Sequence, residues 1–147
     1  MTDLRQVFDD LVRFETMLWA AVDARLQQQS GLTLAGLNVM MVVDATPACR
    51  VFDIAQALAI TVGGTSQAVD RLEKAGWCAR APHPTDRRSS IVELTDAGQA
   101  MLTRAGPVFD EELERRLRAP VSGDDLARLA GTLQTLRRAT AADSGKS

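Results

Sequence analysis

Two groups of side chains in this chain have types and spacings suited to binding a charged or hydrogen-bonding partner. The first is Asp86-Arg87-Arg88, which follows Pro82 and Pro84 and is therefore expected on a short, stiffened loop. A guanidinium suits a phosphate oxygen or a narrow, negatively charged groove. The second is a run of small polar residues and one amide: Thr61, Gly63, Gly64, Thr65, Ser66 and Gln67.

Short helices must position the second group. Phe52–Leu58 has the spacing of a short amphipathic helix, and a break follows at Ile60-Thr61. A second helix is predicted to run to about Ala75 and to end at Gly76, which suits the left-handed position after a helix. Its inward face is predicted to hold Thr65, Ala68, Val69 and Leu72, and its outward face Gly64, Gln67, Asp70 or Arg71, and Lys74.

A strand pair must position the first group. Ile91, Val92 and Leu94 form a β-prone run, and Thr95 is suited to cap the helix that follows. The charged loop is therefore expected between two short strands, as a hairpin wing. Two short helices joined by a tight turn and followed by such a hairpin make a winged helix-turn-helix.

With these motifs the chain resembles the MarR family (multiple antibiotic resistance regulators). The residues that match its signature are Asp86, Arg88, Leu94, Thr95 and Gly98. Residues 69–77 are similar to the family's recognition helix and its exit, and Leu32-Thr33 to the start of its second helix. The resemblance covers nearly the whole chain. It implies a DNA-binding transcriptional regulator, usually a repressor, that works as a homodimer with intertwined helical ends.

The rest of the chain is predicted to be helical, so the fold class is mainly α, or α+β by strict count. A long first helix carries an apolar stripe from Leu4 to Leu26 and ends near Ser30-Gly31, and a second starts at Thr33 and ends before Pro47. A helix after Thr95 is expected to kink at Gly106-Pro107. Ser122 with Asp125 starts a last helix, with an apolar stripe of Leu126, Leu129, Leu133 and Leu136, and Thr140–Ser147 is expected to fray.

We interpret residues 1–147 as a single domain with two parts. Residues 33–94 are predicted to be the DNA-binding winged helix-turn-helix, and residues 1–30 and 95–140 the helical dimerisation part. Both terminal helices carry apolar stripes that lack enough partner surface in one chain. A second copy would bury them and give a two-fold dimer.

Charge distribution is compatible with nucleic acid although the net charge is −2. From Arg71 to Arg88 five basic residues face two acidic ones, a local balance of +3. Phosphate binding depends on which face is positive rather than on the sum.

Each predicted DNA contact has a role. On the recognition helix Gln67 is the best candidate for reading a base, whereas Thr61 and Ser66 suit phosphate. Arg71 adds positive charge, and Gly63-Gly64 indicates either close backbone approach to DNA or a loosened turn. On the wing Arg87 and Arg88 are expected to contact DNA, with Asp86 orienting Arg88 or Arg71 by a paired hydrogen bond.

The chain has no catalytic, metal-binding or cofactor-binding constellation in its sequence, so no enzyme activity and no cofactor are expected. His83, the only histidine, is interpreted as a surface loop residue. No apolar run is long enough for a membrane span and no secretory segment is evident, so a cytoplasmic location is expected.

The resemblance implies a small aromatic or phenolic effector between the dimer helices and the winged module. Phe14, Leu18, Trp19 and Met40 are the residues that could line such a cleft, although each suits ordinary core packing. Two alternatives stay open: a thiol redox-sensing regulator using Cys49 or Cys78, and a winged helix used as a protein-interaction module. The operator, the effector and the sign of regulation are not encoded in these patterns.

Overall fold

A computed structural model of the chain describes residues 1–145. The elements are α1 (Leu4–Ser30), α2 (Leu34–Ala45), α3 (Val51–Leu58), α4 (Val62–Lys74), β1 (Cys78–Pro82), β2 (Ser90–Leu94), α5 (Asp96–Leu113), a π-helical turn (Glu114–Arg118) and α6 (Gly123–Ser144). The predicted winged helix-turn-helix with long terminal helices is confirmed. Residues form two compact units, Met1–Phe109 and the part from Asp110 onward, which we describe separately.

Helix starts follow hydroxyl caps that are readable in the sequence. Thr33, Thr61, Thr95 and Ser122 each accept a hydrogen bond from the backbone N–H three residues later, at 3.0–3.1 Å. Such caps satisfy amides that the helix itself leaves without partners.

Two helix ends were also predicted correctly. Gly31 follows α1 with φ +77°, and Gly76 follows α4 with φ +83°. Both lie in the left-handed region, where glycine has no Cβ penalty.

Helix α2 is the centre of the first unit. It contacts α1, α3, α4 and β2, and its side chains are buried on most sides. The core around it contains Val22, Leu26, Leu32, Leu34, Leu37, Val39, Met40, Val43, Ile54, Val69 and Leu72. This burial fixes α3 and α4 at the angle that a helix-turn-helix requires.

The wing comprises β1, β2 and the loop between them. The strands are antiparallel in a register that pairs Cys78 with Leu94 and Pro82 with Ser90. The second edge of β2 is held by the loop before α3, because the N–H of Val92 donates to the carbonyl of Cys49 at 2.7 Å. The wing is therefore attached to the helical core at its root.

The apolar stripe of α1 divides into two parts. Val22 and Leu26 are buried in the first unit and Leu18 is half-buried. Toward the N-terminus the large apolar side chains are exposed: Leu4, Val7, Phe8, Leu11, Val12, Phe14, Met17 and Trp19.

The second unit departs from the sequence prediction in two places. Helical geometry passes to a π-helical turn at Glu114–Arg118, where the N–H of Ala119 donates to the carbonyl of Glu114 at 2.9 Å. The predicted fraying from Thr140 is wrong as far as Ser144, because α6 stays hydrogen-bonded to that residue; Lys146 and Ser147 lie outside the described residues. In the first unit, α5 continues through Pro107, and the kink expected there stays a prediction.

Ion pairs in this unit join residues three or four positions apart along the chain. Glu112 pairs with Arg116 at 2.9 Å and with Arg115 at 3.6 Å, and Glu114 pairs with Arg118 at 2.7 Å. The apolar side chains of Leu129, Leu133 and Leu136 are exposed on α6.

Gly98 in the first turn of α5 provides a test of the packing at the end of α4. A Cβ at Gly98 would overlap the carbonyl oxygen of Trp77 and lie 2.9 Å from its carbonyl carbon. Gly98→Ala should therefore lower the free energy of unfolding by about 1–3 kcal/mol or more. Gly106→Ala is the matched control, because a Cβ there meets nothing within 4 Å and should add up to about 1 kcal/mol. Equal stability of the two variants in urea titrations would contradict this packing.

Candidate nucleic-acid interface

The first turn of α4 is held together by its own hydroxyl groups. The Thr61 side chain accepts from the N–H of Gly64 at 3.0 Å, and the Thr65 hydroxyl donates to the Thr61 carbonyl at 2.8 Å. Thr65 is fully buried. Its place among the predicted DNA contacts is wrong, since the spacing that makes it part of the core also removes it from the surface.

The exposed face of α4 has few projecting side chains. Gln67 is exposed and makes no side-chain hydrogen bond within residues 1–145, so its amide can meet a base edge. A Cβ on Gly63 would meet nothing within 4 Å, whereas a Cβ on Gly64 would lie 3.0 Å from the Thr61 hydroxyl. Arg71 and Lys74 are exposed further along the helix.

Arg80 of β1 braces the wing against α4. Its guanidinium lies 2.8 Å from the Asp70 carboxylate and 3.5 Å from that of Glu73, and it donates to the Ser66 carbonyl at 3.4 Å. Glu73 also accepts from the backbone N–H of Arg80 at 3.1 Å. Ser66 is thereby half-buried beside the wing rather than fully available to a phosphate.

The ion pair between Arg80 and Asp70 changes the local charge balance expected from the sequence. Arg80 was counted among the cations of residues 71–88, but Asp70, one residue before that segment, neutralises it. Including Asp70 lowers the local balance from +3 to +2. Arg71, Lys74, Arg87 and Arg88 have no ion-pair partner in the described part of the chain, so these four carry the positive face.

The tip of the wing is shaped by Asp86. Its carboxylate accepts from the backbone N–H of Arg88 at 3.0 Å, and its carbonyl accepts from the N–H of Ser89 at 3.2 Å. The predicted paired hydrogen bond from an arginine guanidinium to the Asp86 carboxylate is absent among the described residues. A short aspartate side chain reaches the amide two residues later more easily than a distant guanidinium, so Asp86 orders the loop and leaves Arg87 and Arg88 exposed.

Arg50 is a residue of this interface that the sequence did not reveal. It lies just before α3, and its guanidinium donates to Nε2 of His83 at 2.8 Å. The other ring nitrogen, Nδ1, accepts from the backbone N–H of Thr85 at 3.2 Å and lies 3.3 Å from the Thr85 hydroxyl. His83 is thus a bonded link between the wing and α3 rather than an isolated loop residue, and 33 residues separate the partners in sequence.

The four residues of the predicted effector cleft are not brought together within one chain. Met40 is fully buried in the core and Leu18 is half-buried, whereas Phe14 and Trp19 are exposed on α1. A cleft containing all four therefore needs further surface to cover Phe14 and Trp19.

Both cysteines are buried and not joined in a disulfide. Burial raises the pKa of the Cys49 thiol, and the negative charge of Asp53 raises it further. Burial together with the charge of Glu73 raises the pKa of Cys78 to about 11. Since the thiolate is the reactive form of cysteine, both side chains are protonated and unreactive at neutral pH.

Residues 1–145 show no sign of a membrane span or of a metal site. No helix there is both long and apolar enough to cross a membrane. No group of three or more histidine, cysteine, aspartate or glutamate side chains there could hold a metal ion.

Comparison with known proteins matches this interface to one family. The MarR family model matches residues 30–89, from the end of α1 to the wing. The multiple antibiotic resistance protein MarR of Escherichia coli is 26% identical over 98 residues, which cover 67% of this chain and 68% of that protein. The transcriptional regulator PecS of Dickeya dadantii is 39% identical over 82 residues, 54% of this chain and 48% of PecS.

Solved structures share the fold. The transcriptional repressor CouR, bound to a 23-mer DNA duplex, has a TM-score of 0.80 and 28% identity, and the match covers 93% of this chain and 99% of that one. Sco3205 of Streptomyces coelicolor, a MarR family regulator in complex with DNA, has a TM-score of 0.86 over 92% of this chain and 86% of that one; at 24% identity this likeness concerns the fold alone. The matched segment and the curated relatives show that residues 30–89 are similar to the MarR family of transcriptional regulators, and the chain shares the fold of a solved member of that family.

Proposed function

We propose that the protein is a repressor that binds a near-palindromic operator in double-stranded DNA as a homodimer and is released by a small aromatic or phenolic effector. The observation that carries the proposal is the surface formed by α4 and the wing. Within residues 1–145 Gln67 is exposed on α4 without a side-chain hydrogen bond, and α4 and the wing carry four exposed cations without an ion-pair partner. CouR, similar over nearly its whole length, was solved on duplex DNA and is described as a repressor, which supports the same role here.

Different residues of this surface are proposed to recognise bases and to bind the phosphate backbone. Gln67 can donate to and accept from adenine in the major groove, and Thr61 keeps a hydroxyl proton for a phosphate. The positive charges of Arg71, Arg87 and Arg88 bind the phosphate backbone of the DNA. Asp86 orders the loop that carries Arg87 and Arg88. Ser66 lies at the edge of this surface, beside Arg80, and makes a minor contribution to phosphate binding.

The exposed half of α1 supports the dimer. Eight large apolar side chains between Leu4 and Trp19 are exposed. So many exposed large apolar side chains on one helix segment are typical of an interaction site. We assign residues 1–30 and 95–140 to the dimerisation part and residues 33–94 to DNA binding.

The same surface supports the effector site. Phe14 and Trp19 need a cover that one chain does not supply, and a second copy would place new surface on them. CouR of Rhodococcus jostii RHA1, which has a TM-score of 0.75 to this chain at 21% identity, was solved bound to p-coumaroyl-CoA. An effector in this cleft releases DNA by binding more tightly to the conformation in which the two recognition helices do not fit the operator.

Neither alternative function has an observation in its favour. Thiol sensing needs a reactive thiolate, and the raised pKa values of Cys49 and Cys78 oppose one. A winged helix that binds protein alone would not need unpaired arginines at its tip.

The dimer can be tested at Phe8, which is 68% exposed and so is not required for the fold of one chain. Phe8→Glu should convert the dimer to monomer in sedimentation velocity at micromolar concentration. Operator affinity should fall on the order of a hundredfold or more, because the second recognition helix is no longer tethered. Gln28→Glu places the same charge on an exposed position of α1 and should change neither quantity. A monomeric wild-type protein would disprove the arrangement.

Base recognition and phosphate binding can be distinguished by measuring affinity for matched and mismatched operators as a function of salt concentration. Gln67→Ala should flatten base preference at one position in each half-site by about 1–3 kcal/mol, with half-sites about 34–36 Å apart. Arg88→Ala should weaken every sequence and reduce the salt slope by about 2 per dimer. Arg128→Ala, at an exposed position outside the winged helix, should leave both unchanged. If Arg88→Ala keeps the slope but loses preference for an A·T-rich flank, the wing reads groove shape instead.

The cysteines predict a loss of stability at alkaline pH. Between 9.0, the ordinary thiol pKa, and about 11, the unfolded chain releases a proton from Cys78 that the folded protein retains. The free energy of unfolding should therefore fall as pH rises through this window, by up to about 3 kcal/mol. The chain has no tyrosine to titrate there. Urea titrations of Cys78→Ala should show a smaller fall, and an equal fall would mean that Cys78 is accessible as thiolate.

A further inference from the structure

The tip of α4 carries an exposed apolar side chain that the roles above leave unused. Val62 is the first residue of the helix and is 52% exposed. Single exposed apolar residues are common on protein surfaces and by themselves indicate nothing. The position of Val62, at the end of a recognition helix that enters the groove first, is what gives it meaning.

The residues next to Val62 present no other apolar side chain at the surface. Gly63 and Gly64 have no side chains, Thr65 is buried, and the Thr61 hydroxyl caps the Gly64 amide. Within residues 61–66 Val62 is therefore the one apolar side chain that projects from the surface. Its β-branched side chain has one strongly preferred rotamer in a helix, so its two methyl groups are already oriented.

The major groove offers one apolar group to such a side chain, the C5-methyl of thymine. We propose that Val62 contacts a thymine methyl in each half-site and so determines specificity alongside Gln67. This inference rests on the proposed operator binding. It adds a second kind of readout, by apolar contact, to the hydrogen bonds of the amide.

This contact gives a reason for the two glycines, Gly63 and Gly64, that follow Val62. Valine is short, so the helix backbone must come close to the base edges for its methyl groups to reach one. A Cβ on Gly63 would meet no protein atom within 4 Å, which leaves that space to the DNA. Glycine weakens the start of a helix relative to alanine, and close approach is the compensating gain.

Val62 and Gln67 together predict the composition of the half-site. They lie five residues apart, about 7.5 Å along the helix axis and about 140° apart around it, so they face different base pairs of the half-site. One reads thymine and the other adenine, so both positions should be A·T pairs.

Removal of the methyl group from DNA tests the contact directly. The full-length protein first selects a duplex from a random-sequence library, and that duplex is then remade with deoxyuridine in place of each thymidine in turn. Deoxyuridine keeps the base pairing and removes only the methyl. Wild-type affinity should fall about fourfold for the critical position in one half-site and about fifteenfold for both, the effect expected for one buried methyl group per site.

Variants assign the effect to Val62. Val62→Ala should bind the thymidine and deoxyuridine duplexes equally, with an unchanged melting temperature because the side chain is exposed. Ile60→Ala removes a similarly exposed apolar side chain, 47% exposed in the preceding turn, and should keep the wild-type sensitivity. Sensitivity that persists in Val62→Ala, or that is lost in Ile60→Ala, would overturn the assignment, as would a wild-type protein indifferent to every substitution. A protein that selects no duplex at all would instead refute operator binding, and this inference with it.

Discussion

The structure depends on a crowded junction where α4 ends and α5 begins. The Gly76 carbonyl accepts from the Thr95 hydroxyl at 2.6 Å, the Trp77 carbonyl accepts from the Thr95 N–H at 3.1 Å, and Gly98 packs against the same carbonyl with no room for a side chain. The whole wing lies between these points in sequence, so the junction closes it at its base. The C-terminal end of α4 is therefore held by the Thr95 hydroxyl and by backbone contacts of Thr95 and Gly98.

A second level of organisation is electrostatic. Charges inside the winged helix are used in pairs, with Arg80 bridging β1 to Asp70 and Glu73, and Arg50 linking α3 to His83. These links hold the wing at a fixed distance from α4. Within residues 33–94 the cations without a side-chain partner are Arg71, Lys74, Arg87 and Arg88, so arginine supports the scaffold in one place and forms the proposed binding surface in another.

Local signals explain which features could be predicted from sequence. Hydroxyl caps such as Thr61, glycine ends such as Gly76 and three-to-four spacing gave the helices and the wing, because each depends on residues within a turn of one another. Long-range pairs such as Arg50 with His83 have no local signature. The same holds for Ala59, which ends α3 in the left-handed region with φ +54° although alanine does not favour it. In the first turn of α4, polarity alone predicts the DNA contacts. Polarity includes Thr65, which is buried, and omits Val62, which is exposed.

The junction also has a mechanical consequence. Helix α4 has 13 residues and is therefore about 20 Å long, with one end fixed at Gly76-Trp77 and the other at the tip that carries Val62. A rotation of about 10° at the fixed end moves the tip by about 3.5 Å, close to the rise of one base pair. The helix thus acts as a lever, with the hydrogen bonds from Thr95 to the Gly76 and Trp77 carbonyls at its pivot. A change of a few degrees in the start of α5 is enough to put the reading residues out of register with the bases they face.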